Sequence, residues 1–178
     1  MKYILFLSFS FCTLFAVNAQ QQTGVEKRLF SVNILTPGLE YEFGLTNTTT
    51  LDLRLGTGFA YRKGFFGEGY GVYPIFNIQY RYYYNFKKRN TKDRNTTNNS
   101  ANYLALSGAL QTGKPIIGNL EYYEDYFGVI GPIWGLQRYY KSGFKLDLNL
   151  GGGLGFNDYN KAYFSPILGF RLGWLLFK

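Results

Sequence analysis

The sequence predicts an all-β protein: a closed antiparallel up-and-down transmembrane β-barrel of eight strands, after an N-terminal signal peptide. Three observations carry this. Apolar residues recur at every second position in run after run, the period of a strand and not of a helix. The runs are about 11–14 residues long, which suits a tilted crossing of a bilayer core, and turn-forming segments separate them. The alternation is also lopsided, with Phe, Tyr, Leu and Trp on one face and Gly, Ala, Ser, Asn and scattered charges on the other.

At the N-terminus, residues 1–19 carry a basic start (Lys2), an apolar run from Ile4 to Val17, and small residues ending at Ala19. This is the pattern of a secretory signal peptide, and the apolar run is too short for a membrane-spanning helix. Cleavage is expected after Ala19. Cys12, the only cysteine, lies between Phe11 and Thr13, without the small residues that a lipoprotein signal needs. Export therefore leaves a chain free of cysteine, which must hold together without disulfides. Losing Lys2 lowers the formal net charge of +8 by one. Residues 20–26 form a short N-terminal segment, and residues 27–178 form the barrel. No linker or repeated sequence divides them.

The first strand is expected over residues 27–35. Thr36-Pro37-Gly38 then makes a turn, because Pro-Gly is a strong turn signal and proline is poorly tolerated inside a central strand. Without that turn the count is seven; an antiparallel ring favours the even number. Leu39, Tyr41, Phe43 and Leu45 alternate with Glu40, Glu42 and Gly44. Leu51–Arg62 sets Leu51, Leu53, Leu55, Phe59 and Tyr61 against Asp52, Arg54, Gly56, Gly58 and Arg62. Pro74–Asn85 sets Phe76, Ile78, Tyr80, Tyr82 and Tyr84 against Asn77, Gln79, Arg81 and Tyr83. Residues 102–112 alternate more weakly, and residues 126–138 are apolar on both faces, which leaves their inside open. Phe144–Phe156 sets six leucine and phenylalanine positions against Lys145, Asp147, Asn149 and glycines, and Phe164–Leu176 closes the series with Arg171 on the small-residue face. Thr46–Thr50, Lys63–Gly71, Lys87–Ser100, Gly113–Asp125, Tyr139–Ser142 and Asn157–Lys161 read as the connections.

Volume decides which face points inward. An eight-stranded barrel is only just wide enough to be filled by side chains, so the bulky face belongs outside and the small, charged face inside. Tyr82, Tyr83, Tyr84, Tyr139 and Tyr140 gather near run ends, as an interfacial girdle does. The inward charges are then Glu40, Glu42, Asp52 and Asp147 against Arg54, Arg81, Lys145 and Arg171. The set is neutral. Because an unpaired buried ion costs several kcal/mol, a balanced set predicts a plugged, salt-bridged interior and not a water-filled pore.

On this pattern residues 27–178 resemble the small eight-stranded outer-membrane β-barrels of Gram-negative bacteria, with the architecture of OmpA, OmpX and OmpW. The stretches Tyr82-Tyr83-Tyr84-Asn85-Phe86-Lys87-Lys88-Arg89 and Asn98-Asn99-Ser100-Ala101-Asn102-Tyr103-Leu104 resemble outer membrane protein beta-barrel sequences of the Bacteroidetes type. The resemblance implies an outer-membrane location, outer-membrane lipids, lipopolysaccharide and the assembly machinery as partners, a monomer, and a structural or surface-interaction role. One departure stands out: such barrels commonly end on an aromatic residue, whereas this chain ends Phe177-Lys178, with Phe177 out of register with Trp174 and Phe170. With both termini in the periplasm, Lys87–Ser100 becomes a long segment on the periplasmic side.

The remaining constellations are weak. The basic run Lys87, Lys88, Arg89, Lys92 and Arg94 suits contact with anionic lipid head groups or a plain solvated loop. Nucleic-acid binding is not expected, since an exported chain rarely meets a genome and the tyrosines alternate as strand residues. Gly108–Pro115 nearly spells a phosphate-binding loop, but proline stands where the magnesium-holding hydroxyl belongs. Glu121, Glu124 and Asp125 lack regular calcium-ligand spacing. The total absence of histidine removes imidazole-based catalysis and most zinc sites, so neither an enzyme nor a cofactor is expected. A secreted lipocalin-like barrel for an apolar ligand is the alternative that shares the two-residue period.

Overall fold

A computed structural model describes residues 24–64, 67–159 and 162–178. The expected signal segment 1–19 lies outside the described residues. Nine strands follow in order: β1 (Arg28–Asn33), β2 (Gly38–Gly44), β3 (Thr49–Gly64), β4 (Gly67–Tyr82), β5 (Asn102–Thr112), β6 (Ile117–Gly118), β7 (Tyr126–Tyr139), β8 (Phe144–Asn157) and β9 (Tyr163–Phe177). A short helix α1 (Phe86–Asn90) and a 3-10 turn (Thr97–Asn99) lie between β4 and β5. Eight strands close an antiparallel ring, in which each neighbours the next and β9 pairs back onto β1. The turn at 34–37 separates β1 from β2, so the eight-strand count holds. The ninth strand, β6, patches the free edge of β4 above the end of β5 through Gly71↔Gly118 and Val72↔Ile117. Pro74, opposite Thr57, sits where that edge changes partner from β5 to β6, so its missing N–H disturbs neither ladder.

Two boundaries differ from expectation. Lys63–Gly71 is mostly strand: the β3–β4 ladder runs on to Lys63↔Glu68 and Gly64↔Gly67. These residues lie beyond the apolar band, so hydrogen bonding extends there without any hydrophobic alternation to reveal it. Lys87–Ser100 is a folded cap and not a simple turn. Phe86, Asn99 and Ser100 are buried, and the cap is stitched on by Glu26 N donating to Asn99 Oδ1 (2.7 Å), Tyr139 N to Ser100 Oγ (2.8 Å) and Asn95 Nδ2 to the Tyr139 carbonyl (2.8 Å). Its tight path needs left-handed backbone at Asp93, Asn98 and Asn99, residue types that tolerate it.

The faces are sorted as the volume argument requires. Phe76 and Phe170 are exposed and Leu148 half-buried on the outer wall, while Arg81 and Asp147 are fully buried. In β7, ambiguous in sequence, Ile133, Gln137 and Tyr139 are buried inside, whereas Ile130 is exposed and Trp134 and Leu136 half-exposed outside. The tyrosine cluster divides. Tyr82, Tyr84 and Tyr140 lie outside, but Tyr83 and Tyr139 are buried inside, because period-two alternation sends neighbouring tyrosines to opposite faces. Phe177 also departs from simple register. A bulge places Phe30↔Phe177 next to Ser31↔Leu175, so Leu176 is the extra residue and Phe177 turns outward to stack on Phe30, with ring centroids 4.8 Å apart.

Candidate functional site

All eight charges expected inside are brought into one enclosed network. Strand pairing sets its first contacts. Glu40 on β2 lies directly opposite Arg54 on β3, and Asp147 on β8 opposite Arg171 on β9. Arg54 Nε reaches Asp52 Oδ1 (2.8 Å) and Glu40 Oε2 (3.4 Å), and Arg171 Nη1 reaches Asp147 Oδ1 (2.9 Å). Glu42 and Asp52 are also directly opposed, a like-charge pair that would repel if left alone. Arg81 resolves this: Nη1 lies 3.4 Å from Asp52 Oδ2 and 3.7 Å from Glu42 Oε2, while Nη2 lies 3.3 Å from Asp147 Oδ2. Lys145 spans the lumen to pair with Glu40.

Uncharged groups complete the network, and the charge pattern alone did not single them out. Gln79 Oε1 accepts from Arg81 Nε (2.9 Å) and Arg54 Nη2 (3.2 Å); Gln137 Oε1 accepts from Arg81 Nη1 (2.9 Å) while its amide nitrogen donates to Glu42 (3.0 Å). Tyr83 Oη donates to Glu42 Oε1 (2.6 Å), as does Thr50 Oγ1 (2.7 Å), and Tyr103 Oη donates to Asp147 Oδ2 (3.0 Å). The Arg81 guanidinium stacks over the Tyr103 ring at 4.5 Å, a favourable use of the ring face for a desolvated cation. The usable signal was parity. Gln79 and Tyr83 flank Arg81 two residues away on the same face.

Chemically the arrangement is one of mutual neutralisation. Among the described residues, the one acidic trio close enough to share a metal ion, within 4.8 Å, is Glu40, Glu42 and Asp52, and Arg54, Arg81 and Lys145 already supply its counter-charge. Glu121, Glu124 and Asp125 do not join any such group. Gly108 is within β5, and the rest of Gly108–Pro115 continues that strand into a loop, with no helix after it.

The basic residues gather at the capped end. Lys88, Arg89, Lys92 and Arg94 line a recess of about 360 Å³ with Tyr84 and Asn85; Lys87 is exposed beside it. Arg89 Nη2 donates to the Asn95 carbonyl (2.9 Å), and partial burial together with the nearby Arg94 charge lowers its pKa from the usual arginine value. Tyr84, at the edge of this recess, accepts a hydrogen bond from Trp134 Nε1 (2.9 Å) on the outer wall.

No protein-family model, curated protein or solved structure matches this chain.

Proposed function

We propose that this protein is an integral outer-membrane β-barrel of the OmpA, OmpX and OmpW architecture, a structural or surface-interaction scaffold and neither a pore nor an enzyme. One observation carries the reading: the barrel is polar inside and apolar outside. Among the described residues, the outer face of the strands carries no charged side chain between Arg28 and Arg138 near the capped end and the Lys63–Glu68 pair at the opposite rim. A soluble barrel does the reverse, since exposed apolar patches of that extent are rare on soluble monomers. Aromatic residues flank the band at both levels, with Tyr84, Trp134, Tyr140 and Trp174 toward the cap and Phe59, Tyr61 and Phe164 toward the rim, as girdles at two interfaces would. The alternative, a secreted barrel around an apolar ligand, calls for an apolar interior, and the middle of this one is filled by ions.

In this reading residues 1–19 direct export, the assembly machinery inserts the chain, and it resides as a monomer among outer-membrane lipids and lipopolysaccharide. The cap and both chain ends face the periplasm, and Lys87, Lys88, Arg89, Lys92 and Arg94 meet anionic head groups, at roughly 1 kcal/mol per cation near such a surface. The test is fractionation of expressing cells followed by gel migration with and without boiling. Retention in the outer-membrane fraction until detergent is added, with heat-modifiable migration, supports the proposal. Release into the medium, or release by high salt alone, refutes it. A second measurement bears on the plugged interior: reconstituted protein gives no porin-sized current steps in a planar bilayer.

A further inference from the structure

The barrel wall is uneven in height. β1 ends at Asn33 and β2 begins at Gly38, whereas β3 continues from Gly56, its last residue paired with β2, to Gly64, and β9 begins at Tyr163, well before Gly173, its first residue paired with β1. Above the 34–37 turn these two long strands therefore have a neighbour on one side only. The opposite wall is built up instead, where β6 extends the edge of β4 and Tyr73 donates a hydrogen bond to the Leu120 carbonyl of the connecting loop. The result is a lateral notch, and behind it lies a cavity of about 340 Å³. Its floor is lumenal and polar, with Asn77, Asn149, Arg54 and Arg171; its rim includes Leu55 and Leu168, which belong to the exposed outer face.

The floor carries a definite charge preference. Of the eight network ions, Arg171 has the most exposed side chain, at 17% against 5% or less for the others. Its Nη1 is held by Asp147, and among the described residues Nε and Nη2 have no partner. Both charged residues lining the cavity are cations, and their carboxylates lie beneath them. The notch edges point the same way, because unpaired strand backbone is not satisfied by hydrocarbon; an occupant must bring polar atoms as well as an apolar part.

Resting on the membrane reading above, we propose that this notch is a binding site for an anionic amphiphile with a single hydrocarbon tail, its head group on Arg171 inside the wall and its tail leaving between β3 and β9 past Leu55 and Leu168 into the surrounding lipid. The cavity matches the lower end of small-ligand pockets, roughly 300–1,000 Å³, which suits a head group and the first methylenes and excludes a two-tailed lipid from entering whole.

The test uses the full mature chain refolded into phosphatidylcholine vesicles, with folding verified by heat-modifiable migration, and a medium-chain fatty acid carrying a photoreactive diazirine in its tail, with adducts located by mass spectrometry. The expected adducts concentrate on Leu55, Leu168 and Phe170. Labelling there falls about tenfold with Arg171→Gln or with the fatty alcohol of the same tail, the loss of one charge-assisted hydrogen bond. Ala109→Phe, which fills the cavity without touching a charge, abolishes it and guards against misfolding of the arginine variant. Adducts spread equally over Leu106, Leu148 and Leu168, or equal labelling by acid and alcohol, overturn the site while leaving the membrane barrel standing. Failure of the chain to insert into vesicles at all overturns both.

Discussion

Arg81 on β4 and Asp147 on β8 meet at 3.3 Å across the lumen, joining two walls that share no backbone hydrogen bond. Strand pairing alone ties each strand only to its neighbours, so this contact and the Lys145–Glu40 pair act as cross-braces. Together with Gln79, Gln137 and Tyr103 they fill the interior with fully buried side chains.

Removing one end of a brace strands the other. Asp147→Ala leaves Arg81 and Arg171 without their shared carboxylate and is expected to destabilise the barrel by about 3–5 kcal/mol. The double variant Arg81→Met with Asp147→Leu is expected to lose less than the two single losses combined, since neither partner of the 3.3 Å contact is left facing a missing one, although Glu42 and Asp52 still lose Arg81 and Arg171 still loses Asp147. Urea unfolding in detergent micelles, followed by tryptophan fluorescence, measures both.

Neighbouring tyrosines separate the two faces. Tyr83→Phe deletes a donor to buried Glu42 and is expected to cost about 1.5–3 kcal/mol. Tyr82→Phe, on the outer wall, is expected to stay within about 0.5 kcal/mol. A reversed order in the same unfolding assay contradicts the assigned faces.

Depth on the outer wall gives a prediction that only a bilayer makes. Leu148→Arg, within the apolar band, is expected to cost roughly 2–4 kcal/mol in vesicles, and Tyr140→Arg, at the capped end, roughly 0–1 kcal/mol. If both are harmless, or if Leu148→Arg makes the protein soluble without detergent, hydrocarbon is not what surrounds this wall.

Gly135 has a packing role. A β-carbon there would lie 2.3 Å from the Tyr103 ring, so the bare backbone is what admits the ring that covers Arg81. Gly135→Val is expected to destabilise by roughly 1–3 kcal/mol through overpacking. Combining it with Tyr103→Ala should recover part of that loss, and a fully additive double variant would show that the clash is not the cause.

Much of this was legible from residue spacing because a strand's parity is rigid. Once Arg81 is inside, Gln79 and Tyr83 must be inside too, and Phe76 outside. The eight ions could be named without coordinates, but which acid meets which base could not: Arg81 reaches Asp147 only because ring closure brings β4 and β8 across from one another. The inside of β7 emerged only from its pairing, since Ile133 and Ile130 are equally apolar and lie on opposite faces. The outward turn of Phe177 depends on a one-residue bulge that leaves no mark on composition. Lys87–Ser100 reads as a plain connection because the burial of the cap comes from tertiary contacts and not from any local period.

The seam where the chain closes on itself is also the shortest run of pairing within the eight-strand ring. β1 meets β9 only between Phe30–Asn33 and Gly173–Phe177, whereas β3 and β4 are zipped from Thr49↔Tyr82 to Gly64↔Gly67. Fewer rungs mean a lower cost of local opening. Thermal breathing of this cylinder therefore begins where its two ends were joined, and amide protons on β1 exchange with deuterium long before those at the centre of the β3–β4 hairpin.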